Sequence, residues 1–118
     1  MYVDGYVLPV PKKNLVRYKK MAAVAGKVWL EHGALQFCET AGEDLKTKFG
    51  VPFSKLLKLK AGETAVFSWI CFKSRKHRDK VNAAVMKDPR LGAMMSLKDM
   101  PFDMKRMAYG GFTSLVDL

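Results

Sequence analysis

Three polar residues stand where a short chain could do acid–base or electrostatic chemistry: Asp4 in "YVDGYV", His32 in "EHGAL" and Arg106 in "MKRMAYGGF". Asp4 alternates with Tyr2 and Tyr6, so the three share one face of a strand. If a second subunit closes that face, the carboxylate is desolvated, its pKa rises and it can move a proton. The same group serves equally well as the partner of a cation such as Arg106, or as an acceptor for backbone N–H. His32 precedes Gly33 at the expected end of a helix, where the dipole favours a cationic ring; facing inward, it would be an acid or base instead. Tyr6, Trp69 and Tyr109 are flat groups that suit the walls of an aromatic-ligand site and equally suit a core or an interface. Gly110 and Gly111 are adjacent in a strand-like run. They imply either curvature through a bulge or empty volume beside Tyr109 and Arg106 for a partner or ligand.

A second set of candidates is cationic. The formal charge of +10 is concentrated in two stretches, "KKNLVRYKK" (12–20) and "KSRKHRDK" (73–80), each with five Lys or Arg. Both stand at expected helix starts, where cations oppose the dipole but, with the helix N–H groups, make an anion site. With the two helices parallel, Lys12, Lys13, Arg75 and Lys76 merge into one patch; the alternative is a solvated surface that keeps the protein soluble. Sequence-specific RNA reading is disfavoured, because the third strand, "VFSWICF", carries no basic residue to accompany its aromatics. Non-specific nucleic-acid binding through the patch is left, and it would weaken steeply with salt. The two histidines, His32 and His77, stand at no ligand spacing with Cys38 and Cys71, so no metal site is expected. No phosphate loop or dinucleotide fingerprint is present, and no cofactor is implied. Both cysteines sit in strand-like runs as small hydrophobes, which implies a reduced, cytoplasmic protein. No apolar run reaches the ~20 residues of a membrane span.

The elements that must position these groups follow from periodicity. Residues 2–10 alternate as a strand, ended by Pro9 and Pro11. Leu15, Tyr18, Ala22, Ala25 and Trp29 make the apolar stripe of a helix over 12–32, stopped by Gly33. "ALQFCET" (34–40) is a second strand. A long loop follows, within which "LLKLK" offers a short edge strand with solvent-facing lysines. Residues 64–72, β-branched and aromatic, form the third strand. Ser74 caps a helix over 75–88 with Val81, Ala84 and Val85 inward, ended by Pro89. Residues 89–105 read as irregular, and Met94, Met95, Met100, Met104 and, just beyond, Met107 either fill gaps or form a mobile apolar lid. A last strand spans 106–116. The order β-α-β-β-α-β over one 118-residue domain is that of an α+β, ferredoxin-like split βαβ: an antiparallel sheet with both helices on one face. Its other face is expected to be bare and aromatic, with Tyr2, Tyr6 and Trp69 or the neighbouring Phe67 and Phe72. Such a face marks an interaction site.

The segments "MYVDGYVLPVPKKNL", "VWLEHGAL", "VFSWICFKSRKHRDKVNAAVMKDP" and "MPFDMKRMAYGGFTSLVD" are similar to the YbaA-like bacterial family, a domain of unknown function. The resemblance covers essentially the whole chain. It implies a dimeric α/β barrel of ferredoxin-like protomers, joined through the sheet face, with no established activity. Three functions stay open: binding of a small apolar ligand or cofactor-free chemistry on it, non-specific polyanion binding, and a non-catalytic structural dimer.

Overall fold

The computed structural model describes residues 1–96 and 98–118. The strands are β1 (Tyr2–Pro11), β2 (Gln36–Ala41), β3 (Glu63–Phe72) and β4 (Ala108–Thr113). The α-helices are α1 (Leu15–Glu31), α2 (Phe53–Leu56), α3 (Arg75–Met86) and α4 (Pro89–Met95). All pairings in the sheet are antiparallel, in the order β2-β3-β1-β4. That is the ferredoxin-like arrangement, an α+β fold with α1, α3 and α4 on one face.

Local chemistry sets the ends of the helices. Gly33, at φ +113, turns the chain out of α1 in a conformation L side chains rarely adopt, and Ala34 N–H closes the turn on Trp29 C=O at 3.0 Å. The Ser74 hydroxyl accepts the His77 N–H at 3.1 Å and starts α3. Asp88 does the same for α4, accepting from Arg90 N–H at 2.9 Å with Pro89 in the first turn. The stretch from 89 is therefore not irregular throughout: its first seven residues are α4, because a capping Asp followed by Pro is a helix start rather than a stop. Similarly "LLKLK" makes no strand. Leu56 closes the single turn of α2, and Lys58 takes a positive φ of 51.

Two expectations about orientation are corrected. Tyr2, Asp4 and Tyr6 face the helices, not the bare side. Their face continues into Leu8 (1% exposed) and Val10 (0%), and those two apolar residues decide which side is buried. Phe72 is likewise fully buried in that core, with Val28, Ile70 and Val85. The second correction concerns the helices. Tyr2 pairs with Phe72 and Pro11 with Glu63, so β1 and β3 run in opposite directions. The chain therefore enters α1 at one end of the sheet and α3 at the other. Lys12 and Lys13 stand at one end of the protein and Arg75 and Lys76 at the other, all four exposed. One merged patch does not exist.

The open face carries Phe67, whose ring lies 5.5 Å from Trp69 and 6.3 Å from Phe53 of α2. Arg106 holds the loop after α2 in place: it makes a two-pronged pair with Glu63 at 2.7 and 3.0 Å and donates to Lys58 C=O at 3.1 Å. Arg106 is thus a loop clamp, and Asp4 is not among its hydrogen-bond partners. Among the described residues, no helix is long and apolar enough to cross a membrane.

Candidate functional site

The polar residues singled out from the sequence occupy three separate places. Asp4 is fully buried. Its partner is Arg78 of α3, whose guanidinium reaches Asp4 Oδ1 at 2.7 Å, while Asn82, one turn on, donates to Asp4 Oδ2 at 3.3 Å. Trp29 of α1 in turn donates its indole N–H to Asn82 Oδ1 at 3.0 Å. Arg78 lies over the Tyr2 ring, 4.9 Å from its centroid, and donates to Tyr109 at 3.3 Å. Burial pushes the Asp4 carboxyl upward, against the pull of the Arg78 charge. This network pins β1, β4, α1 and α3 together. His32 is elsewhere, at the end of α1, with Nε2 2.9 Å from Asp88 Oδ2, so it ties α1 to the cap of α4. Asp4, His32 and Arg106 therefore share no cavity.

The aromatic candidates also divide. Tyr6 stacks on Tyr109 at 4.9 Å on the helix side, whereas Trp69 is on the open side, donating to Gln36 Oε1 at 3.3 Å. The glycines beside them are filled by the chain's own rings. A Cβ on Gly111 would sit 2.8 Å from Tyr2 Cζ, with the Tyr2 hydroxyl closer still. On the opposite face, the Phe112 ring lies 3.2 Å from where a Gly5 Cβ would be and 3.7 Å from one at Gly110. No ligand volume is left above Gly111. Gly111→Ala is expected to displace Tyr2 from beneath Arg78 and cost about 1–3 kcal/mol. Urea unfolding checks this, and the same substitution at Gly110 should cost less, because contacts there begin at 3.7 Å.

The space that does exist lies between helices and sheet. A cavity of about 140 Å³ is walled by Tyr6, Leu8, Trp29, Phe37, Phe102 and four methionines, Met21, Met94, Met95 and Met107. Of the five methionines read as gap fillers or a lid, Met94, Met95 and Met107 gather here. Glu39 of β2 opens onto the cavity. The Tyr18 hydroxyl donates to its Oε2 at 2.8 Å. Burial raises the Glu39 pKa, partly offset by hydrogen bonds from Tyr18 and Ser68. Tyr18, Ala22, Phe37 and Glu39 also wall a larger outer groove, about 490 Å³, between α1 and the edge strand β2. Gly26 of α1 makes room for this wall: a Cβ there would fall 2.7 Å from the Phe37 ring.

Glu39, Arg78 and Asn82 were not singled out from the sequence, and Tyr18 only as part of the apolar stripe of α1. Arg78 and Asn82 stand four apart, in register with Val81 and Val85, so they fall on the apolar stripe of α3. A cation and an amide on such a stripe signal a buried acid opposite. Glu39 follows Phe37 by two residues and shares its inward face.

A raised carboxyl pKa has a defined sign. The folded protein holds the Glu39 proton more tightly than the unfolded chain. Its favourable contribution is full below the ordinary Glu value and fades as pH rises through the folded value. Glu39→Gln, which keeps an acceptor for Tyr18, should therefore raise the Tm near neutral pH. The gain should vanish below about pH 4. A gain that is instead independent of pH would show that ionisation is not its cause.

A family model described as "Protein of unknown function (DUF1428)" matches residues 1–104. The "Uncharacterized protein YbaA" of Escherichia coli strain K12 is 40% identical over 116 residues, covering 98% of this chain and 97% of that protein. YbaA of Shigella flexneri matches with the same identity and coverage. Among solved structures, an uncharacterized NIPSNAP domain protein from Burkholderia xenovorans has a TM-score of 0.53 at 11% identity, covering 97% of this chain and 94% of that one. This last likeness is one of fold.

Proposed function

From the premise that the chain belongs to the YbaA-like DUF1428 family of unknown function, we propose that it binds a small apolar molecule carrying one aromatic ring between its helices and sheet. The observation that supports this reading is the 140 Å³ methionine-lined cavity with a single carboxyl, Glu39, at its wall. A cavity of about 150 Å³ lined by apolar side chains stays dry and takes up benzene, so the volume suits one ring. Flexible methionines in the wall let it adapt to the ring. The Glu39 carboxyl, with its raised pKa, offers a hydrogen bond or a proton to a polar substituent, and the same arrangement would serve as general acid in cofactor-free chemistry.

Titration with fluorobenzene and phenol, followed by ¹⁹F line broadening and thermal shift, tests this. Binding is expected in the wild type. Ala25→Met, which extends a side chain into the cavity, is expected to weaken it at least tenfold while leaving the protein folded. Absence of any shift or broadening with the wild type would remove the reading.

The open sheet face supports a second proposal, that the chain is a homodimer through that face. Phe67 and Phe112 are 46% and 61% exposed on it, and a large exposed apolar patch marks an interaction site. The polyanion reading has less support, since the two basic clusters are at opposite ends of the molecule.

A further inference from the structure

The last five residues, "SLVDL" (114–118), are held at their start, pass close enough to Cys71 for Asp117 to act on its thiol, and leave their apolar side chains uncovered. Ser114 N–H and its hydroxyl both donate to Met1 C=O at 3.0 Å. Beyond it, Leu115 is 95% exposed, Val116 75% and Leu118 fully exposed. Three successive-face apolar side chains in water, interrupted by an acid at Asp117, call for a cover.

A groove of matching character exists on the open sheet face. It holds about 600 Å³. Val7, Leu56, Leu57 and Ala108 form an apolar lining, and Lys58, Lys60 and Lys105 provide cations at it. None of the three lysines is in an ion pair among the described residues. Arg106, which also lines it, is neutralised by Glu63.

The tail does not reach this groove in its own copy. β4 starts at the groove, with Ala108, and ends five residues later at Thr113, about 17 Å away. The tail leaves from that far end, and returning would mean doubling back over the Phe112 ring. A two-fold axis lying across the strands removes the difficulty, because it places the end of β4 in one copy over its start in the other.

We propose that residues 114–118 of one copy seat in the lysine-lined groove of a second copy, and reciprocally. Leu115, Val116 and Leu118 cover the apolar lining, and Asp117 faces Lys58, Lys60 or Lys105. The inference rests on the homodimer reading and adds the segment that locks it.

Equal amounts of ¹⁴N- and ¹⁵N-labelled protein are mixed, joined with a zero-length carboxyl–amine cross-linker and digested. Mass spectrometry then reads which peptides are linked, and light scattering reads the mass. The expected result is a dimer in which the Asp117 peptide of one label is joined to a peptide containing Lys58, Lys60 or Lys105 of the other. Asp117→Lys should raise the dimer Kd at least tenfold, and combining it with Lys58→Glu and Lys60→Glu should restore it. Since the tail is exposed, Asp117→Lys should keep the wild-type Tm as a monomer. A dimer with no such mixed-label link and no response to charge reversal overturns the tail assignment while keeping the dimer. Links only within one label overturn the exchange. A monomer at all concentrations overturns the dimer reading as well.

Discussion

Arg78→Leu is expected to destabilise the protein by about 3–5 kcal/mol, because it strands a fully buried carboxylate. The magnitude comes from geometry. Asp4 has no exposed surface, and the Arg78 side chain is 13% exposed, so water replaces little of what the guanidinium supplies. The variant leaves Asn82 as the remaining donor to Asp4, at 3.3 Å. The pH dependence has a definite sign. Burial already raises the Asp4 pKa, and the Arg78 charge is the main force opposing that rise. Without Arg78 the pKa goes higher. Asp4 then costs the folded state most near neutral pH and progressively less on acidification, as the carboxyl takes up a proton. Denaturant unfolding as a function of pH should show the deficit shrinking toward about pH 4. The double variant Asp4→Asn/Arg78→Leu should lose less than Arg78→Leu alone, since no charge is left unpaired. Equal losses for the single and double variants would mean that Arg78 acts through its packing on Tyr2 and not through Asp4.

This pair also shows where sequence reading stops. Element order and the ferredoxin-like topology were legible, because apolar periodicity, Ser74 and Gly33 are local signals that agree with the final packing. The pairing partner of Asp4 was not. Alternation places Tyr2, Asp4 and Tyr6 on one face but says nothing of which face meets the helices; that depends on Leu8 and Val10 further along the strand. Assigning the set to the bare side pointed Asp4 toward Arg106, whereas its cation comes from 74 residues away on α3. The direction of the helices failed for a related reason. Basic stretches at two helix starts look adjacent until the antiparallel register of β1 and β3 separates them. The cavity was the least legible feature. It is bounded by residues from β1, α1, β2, β3, α4 and the segment from Phe102 to Met107, and a volume between six parts of the chain has no signature in any one of them. Its methionines were visible as a cluster, and their two readings, gap filler and lid, describe the same side chains around a space that is partly filled.

Leu8→Ala should destabilise the protein by about 2–5 kcal/mol, and an aromatic ligand should return part of that loss. Leu8 is 1% exposed and belongs both to the core beneath Tyr18 and to the wall of the 140 Å³ cavity. Truncation removes buried methyl groups and enlarges a space that is already open on one side. Because close-packed neighbours relax only partially, most of the new volume should persist. The ligand preference should therefore move from one ring toward two, with indole or naphthalene binding the variant better than fluorobenzene does. A ligand at about 100 times its Kd would add roughly 2.7 kcal/mol, a shift readily seen in a thermal melt. The control is Val81→Ala, at a residue equally buried but absent from the cavity wall. It should lose stability and gain nothing from the same ligands. If indole raises the Tm of both variants alike, the gain reflects general binding to a loosened core. If it raises neither, the cavity beside Glu39 is packing imperfection, and the ligand reading falls with it.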